Sequence, residues 1–272
     1  MKRPLLTLCI VALSLAPLRA DLTITQTITL EGGLASMLGG MKPTLTTRIK
    51  GTKARTDVDV MNQTMTTIAD VVTKEITVLN SATMTAMVMT AGAIPGLPAD
   101  APGPKIDVSF KPTGQTKTVD GVACDDHVLG MTISLAEMAG GAQVPPDAAA
   151  MMKDVRIVMN GNSCIAKGGP GAEEYIAFQK AATSAALDAV LKGAMPGQQM
   201  QGLDKLFTAT SSAPGLAYLT EITMTVEGTG PMVDMLKQMG AMKMIQKVTS
   251  VSTDTLADDL FKVPADYKVE KK

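Results

Sequence analysis

Cysteine, histidine and methionine are the residues with which this chain could do chemistry: it has three Cys, one His and 21 Met among 272 residues. Cys9 lies inside an apolar N-terminal run and is not preceded by a lipidation signature. Cys124 and Cys164 remain, and an even count in an exported chain favours a disulfide. If 122–133 pairs antiparallel with 155–166 so that Cys124 faces Cys164, the pairing centres on residue 144, beside Pro145-Pro146, where a connection should turn. Closing such a loop stabilises a fold by about 4 kcal/mol through chain entropy. The alternatives are two free thiols or a redox pair, although no CxxC spacing exists.

His127 follows Asp125 and Asp126. One imidazole with carboxylates resembles part of a metal site, and a His beside an acid can serve as a base. On a strand, Asp125 and His127 would share one face and Asp126 the other. Without a second His there can be no His-based zinc or copper centre, and no Gly-x-Ser-x-Gly elbow is present. The plainer expectation is a solvated strand end. No acid, base and nucleophile constellation emerges, so the chain reads as non-enzymatic, with no catalytic residue and no cofactor.

The methionines offer two readings. Met232, Met235, Met239 and Met242 recur at helical spacing with Leu236 beside them, and Met87-Val88-Met89 and Met242-Lys243-Met244 place sulfurs two residues apart. Thioethers are soft ligands suited to Cu(I), which makes Met239, Met242 and Met244 the copper candidates. A flexible, polarizable side chain also suits an adaptable apolar groove. Met87, Met89, Met138, Met232, Met235, Leu236 and Met239 are the candidates for that role.

Elements must position these groups. Leu22 to Leu30 alternates apolar and polar residues without a break, the period of a strand with one dry face. Similar strands are predicted at 44–51, 54–61, 64–72, 74–80, 82–90, 105–111, 115–122, 127–135, 153–160, 162–167, 216–227 and 243–253. Turn residues separate many of them, including Pro112-Thr113-Gly114 and Asn160-Gly161-Asn162. Close spacing with short turns favours an antiparallel meander over βαβ units. The segments 22–51 and 219–251 both read strand, Gly/Met-rich insert, strand, so hairpins with apolar tips are expected. Gly171 to Leu191 is rich in helix formers, with Tyr175, Phe178, Ala182 and Ala185 on one face. A shorter helical piece is predicted near 198–208, giving a helical insert at about 171–211.

The N-terminus supplies the setting. Lys2 and Arg3 precede an apolar run from Leu5 to Leu15, and Ala16, Pro17 and Ala20 end it with the small residues of a cleavage site. The run is shorter than the ~20 residues that span a bilayer. Residues 1–20 therefore read as a signal peptide and 21–272 as one exported, periplasmic or secreted domain without a membrane segment. Of 25 basic residues three lie in the signal, leaving 22 against 26 acidic ones and a net charge of −4. That charge argues against nucleic acid and against electrostatic docking to anionic lipid. The absence of Trp, with only three Tyr and four Phe, argues against sugar-stacking platforms.

Several motifs resemble a bacterial envelope family catalogued as domain of unknown function 4412. They are Gly51-Thr52-Lys53-Ala54-Arg55-Thr56-Asp57, the stretch Gly114 to Cys124, Pro170 to Phe178 at the predicted helix start, and Phe261 to Lys268 near the C-terminus. That family is similar to the LolA/LolB-type half-barrel. The resemblance implies a mainly β fold: a curved antiparallel sheet or half-barrel meander with helices packed against one face. It also implies a cavity for lipid or acyl chains, and it carries over no functional residue. Together with the methionines, this points to a non-enzymatic periplasmic binding or carrier protein for a lipid-like or hydrophobic ligand or partner segment. The alternatives are a Met-based Cu(I)-binding protein and a structural envelope or interaction protein with a packed core.

Overall fold

The computed structural model describes residues 21–33, 42–60, 63–90, 106–135, 152, 154–191, 213–238 and 240–271. The predicted signal segment, the 198–208 piece, Met138 and Met239 lie outside these residues. The chain forms one curved, mainly β sheet with helices against it; the alternation predicts the strands, and the family resemblance predicts the curvature and the packed helices. Its strands are β1 (Leu22–Gly32), β2 (Thr44–Lys50), β3 (Lys53–Val60), β4 (Gln63–Asp70), β5 (Glu75–Asn80), β6 (Thr85–Thr90), β7 (Ile106–Val119), β8 (Val122–Ser134), β9 (Arg156–Ala166), β10 (Leu216–Glu227), β11 (Met242–Ser252) and β12 (Lys268–Lys271). Across the sheet they run β12-β6-β5-β4-β3-β2-β1-β11-β10-β9-β8-β7. Two sequential meanders, β1–β6 and β7–β11, are therefore joined by a seam in which β1 pairs antiparallel with β11. Only β12 departs from this pattern, lying parallel to β6.

Two predicted turns are corrected, and one predicted strand contains a turn. Pro112-Thr113-Gly114 does not end a strand; β7 continues through it with a register shift between Pro112 and Thr116. As the edge strand, β7 can carry a proline and a bulge without breaking a ladder on both sides. Asn160-Gly161-Asn162 lies inside β9, paired on both edges by β8 and β10. The turn between β7 and β8 is instead Asp120-Gly121, inside an expected strand. Both residues have positive φ (50° and 83°), the requirement of a two-residue hairpin whose twist matches its strands.

Helix α1 (Ala172–Leu191) follows Pro170-Gly171 as predicted, with Glu173 and Glu174 in its first turn, where carboxylates favour the helix dipole. Tyr175 and Phe178 pack against a core of Leu22, Ile24, Ile49, Cys124, Cys164, Leu216 and Val248. Helix α2 (Pro231–Gln238) caps the β10–β11 hairpin. The expected helical stripe from Met232 to Met242 does not run its full length. The helix stops at Gln238, Gly240 adopts φ of 79°, and Met242 opens β11.

A second core forms where the C-terminal segment crosses the first meander. Phe261, with Leu256, Leu260, Val263 and Tyr267 around it, packs on Ile68, Leu79 and Ala86. Burying a side chain of this size contributes about 2 kcal/mol. Cations from the β2–β3 hairpin fasten the segment: Lys50 Nζ donates to the Leu256 carbonyl at 2.6 Å and Arg55 Nη1 to the Leu260 carbonyl at 3.1 Å. Lys50 also pairs with Asp258 at 2.8 Å.

Candidate functional site

Strand register sorts the side chains of the first meander into two unlike faces. Cross-strand partners Leu45, Val58, Met65 and Asn80 share one face, together with the pairs Val78–Met87 and Ile76–Met89. Alternation adds Thr47, Ile49, Ala54, Thr56, Val60, Gln63, Thr67, Ala69 and Thr85 to it. No charged residue stands on this face in β2–β6. Arg48, Lys50, Lys53, Arg55, Asp57, Asp59, Asp70 and Glu75 all occupy the other one, over which the C-terminal segment is fastened.

Register carries the uncharged face across the seam. Gln26 pairs with Leu45 and Val248, and Gln246 Nε2 donates to Gln26 Oε1 at 3.0 Å. From there, cross-strand partners Leu30, Met244, Ile222, Gly161, Leu129 and Phe110 form one row. The next row is Gly32, Met242, Met224, Met159, Met131 and Val108. Four methionines on four adjacent strands are thus direct neighbours, and each is half-buried.

Among the described residues, the uncharged face is covered at one end and holds a groove at another. Near Leu22, Ile49 and Ala54 it is covered by Tyr175 and Phe178 of α1. Toward the β3–β4 connection lies a groove of about 380 Å³, lined by Val58, Val60, Met65, Val78 and Ala82, with Gln63, Thr64, Asn80 and Ser81. This is the size of small-molecule sites, which are typically apolar with few polar groups. Met65 is 61 % exposed in it. Met87 stands directly opposite Val78 on this face, and Met89 is on the same face one step along β6.

The other groove candidates lie elsewhere. Met235 (57 % exposed) and Leu236 (half-buried) are on α2, which packs on β10, well away from β6 across the sheet. Met232 is on the same helix. Of the copper candidates, Met242 and Met244 share a face of β11, opposite Met224 and Ile222. Sequence reasoning missed Val58, Val60, Met65 and Val78, although the charges of β2 and β3 fall at alternate positions and were a readable signal.

The chain is similar over most of its length to solved structures. An uncharacterized conserved protein from Thermus thermophilus aligns at 9% identity over 94% of this chain and 92% of that one, with a TM-score of 0.36. The Mycobacterium tuberculosis lipoprotein LppX aligns at 11% identity over 87% and 89%, with a TM-score of 0.31. Both likenesses are distant. No family model matches the chain, and no curated protein matches it.

The cysteines are bonded, Cys124 to Cys164, with a Cα–Cα distance of 5.3 Å. The expected register is corrected by two residues: Asp126, not Cys124, faces Cys164. A shift of two keeps both cysteines on one face, so the bridge forms along the diagonal. A disulfide fits a chain that folds in an oxidising compartment. Among the described residues no helix is long and apolar enough to cross a membrane.

The Asp125-Asp126-His127 stretch is not a solvated strand end. β8 is flanked by β7 and β9 on its two edges, leaving Asp126 3 % and His127 4 % exposed. The imidazole stacks on Phe110 at 4.9 Å, and its Nδ1 lies 3.0 Å from the Asp125 carbonyl oxygen. Ser163 pairs opposite His127, but its hydroxyl bonds Thr220 at 3.0 Å. Burial alone would push the Asp126 carboxyl up. Lys117 Nζ at 2.7 Å, Asn162 at 3.1 Å and Thr113 at 3.3 Å overcome this and hold it below the usual carboxylate range. Asp57 behaves alike: burial raises its pKa, but Arg55, Thr66 at 2.6 Å and Arg48 together lower it further than burial raises it. These two carboxylates tie strands together.

Proposed function

We propose that the protein is a non-enzymatic binding or carrier protein, exported from the cytoplasm, whose ligand is a lipid acyl chain. The observation that carries this reading is the segregation of charge across the sheet. All eight charged side chains of β2–β6 stand on the face closed by the C-terminal segment, and the opposite face of these five strands is uncharged and holds an apolar groove, with Lys268 and Glu270 of β12 beside Thr85 and Met87 at its edge. A sheet that needed only a core would fill that face along its whole length, as α1 does at one end. An acyl chain asks for dispersion contacts and exclusion of water rather than directed bonds, and thioethers adapt to its changing shape.

The test is binding of a fluorescent fatty acid, together with native mass spectrometry of gently purified protein. A co-purifying lipid and saturable uptake are expected. Met65→Glu places a carboxylate in the groove and should weaken uptake about tenfold, since an unpaired charge in an apolar site costs at least about 1.4 kcal/mol. Because Met65 is 61 % exposed, the melting temperature should hardly move. Val72→Glu, on a surface position 70 % exposed in the β4–β5 turn, is the control. Protein without lipid that takes up no fatty acid would defeat the proposal.

A further inference from the structure

The four-methionine row needs a separate explanation. Strand interiors favour β-branched and aromatic residues, and Met is not among them. Elsewhere on this face no cross-strand partner of Met65, Met87, Met89 or Met244 is a methionine. Among the described residues, only at Met131–Met159–Met224–Met242 does each methionine have another as its cross-strand partner. An apolar wall would be built as well from Ile and Val, which occupy the next row at Ile133, Ile157 and Val226.

We propose that this row is a binding site for Cu(I). Directly opposed side chains on an antiparallel pair have Cβ atoms about 5 Å apart. A thioether carried on three rotatable bonds spans that gap, so two or three sulfurs can converge above Met159 or Met224. Cu(I) is a soft ion that accepts neutral sulfur ligands without demanding a fixed geometry, whereas hard cations require carboxylates and carbonyls. The row is flanked by Val108 at one end and Gly32 at the other, and holds no charged residue. Among the described residues no group of three or more His, Cys, Asp and Glu offers a harder site. Thioethers also keep their ligand form in an oxidising compartment, where paired thiols are consumed as disulfides, as Cys124 and Cys164 are here. The half-burial of all four residues leaves the ion a path in. Met244 stands on the same face in the neighbouring row, beside Ile222, and Met239 is not needed for the site.

Anaerobic titration of the full chain with Cu(I) against bicinchoninate tests the proposal. The expected result is one Cu(I) per chain with sub-micromolar affinity. Met159→Leu with Met224→Leu conserves side-chain volume and removes the two central ligands, so affinity should fall at least about tenfold. Met84→Leu, at an exposed methionine outside the row and the groove, should leave binding unchanged. Silver(I), a redox-inert soft probe, added to wild-type protein carrying ¹³C-methyl methionine should shift the methyl signals of Met131, Met159, Met224 and Met242. That measurement needs no variant to fold. Affinity weaker than micromolar, wild-type binding by the central double variant, or silver shifts confined to other methionines would each overturn the assignment.

Discussion

Asp57 and Asp126 are the residues at which this fold is most sensitive to acid. Both carboxylates are buried and held ionised by cationic and hydrogen-bonding partners, Asp57 by Arg55 of its own strand with Thr66 and Arg48 of its neighbours, so their pKa values are lower folded than unfolded. The stability they contribute is fully present above the ordinary carboxylate pKa of about 4, and is lost as pH falls through the depressed folded values. Thermal melts should therefore stay level from neutral pH to about pH 5 and then drop. In Asp57→Asn with Asp126→Asn the melting temperature should be lower at pH 7 but should fall less on acidification; an unchanged acid limb would show that other groups control it. Asp57→Ala alone leaves Arg48 and Arg55 facing each other across β2–β3. It should cost about 3 kcal/mol in chemical denaturation, because a half-buried cation pair loses its counter-ion. His127, which invites a catalytic reading, is stacked on Phe110 and bonded within its own strand.

At the scale of elements, the motifs that suggested a family are joints of the fold. Gly51 to Asp57 makes a turn and supplies Arg55, which with Lys50 grips the C-terminal segment, and Gly114 to Cys124 makes the β7–β8 hairpin and one half of the disulfide. Phe261 plugs the second core. Reduction of Cys124–Cys164, which closes 40 residues, should destabilise the protein by about 4 kcal/mol. Denaturation with and without reductant measures this; coincident curves would mean that β8 and β9 hold without the bridge. The alternation of Leu22–Leu30 and the helix formers of 172–191 made β1 and α1 legible in the sequence, since period and propensity are local. Turn residues were less informative: Pro112 and Gly161 sit within strands because an edge can bulge and a glycine permits close backbone approach. Register was not legible. The cysteine pairing was right and its register two residues out, because every even shift keeps the same face inward. The methionine row was invisible for the same reason, since Met131, Met159, Met224 and Met242 become neighbours only once four strands are aligned. β12, with every residue exposed, carries no apolar pattern to announce it.

For the whole molecule, charge segregation divides the described sheet into a face closed by the C-terminal segment and a face free of charge in β2–β6. Eight charges serve the closed face, helix α1 fills part of the uncharged one, and the groove leaves another part hollow. A ligand there should stabilise the native state by mass action, about 2.7 kcal/mol at a concentration one hundred times its dissociation constant. The melting temperature should thus climb with the logarithm of fatty-acid concentration, and Met65→Glu should flatten that slope. A slope that is the same in both proteins would place the ligand away from the groove.

The seam has a consequence in time. Thr23 pairs with Ser252, and Gly32 with Met242, so the strand nearest the start of the sheet-forming sequence needs the strand near its end. As the chain is synthesised β1 emerges first and finds β2 within a few dozen residues, but its other edge waits unpaired until β11 has followed. Long-range pairings of this kind close late, and an unpaired apolar edge is open to wrong partners meanwhile. The two meanders can each zip locally, and the molecule becomes one body only at its last long strand.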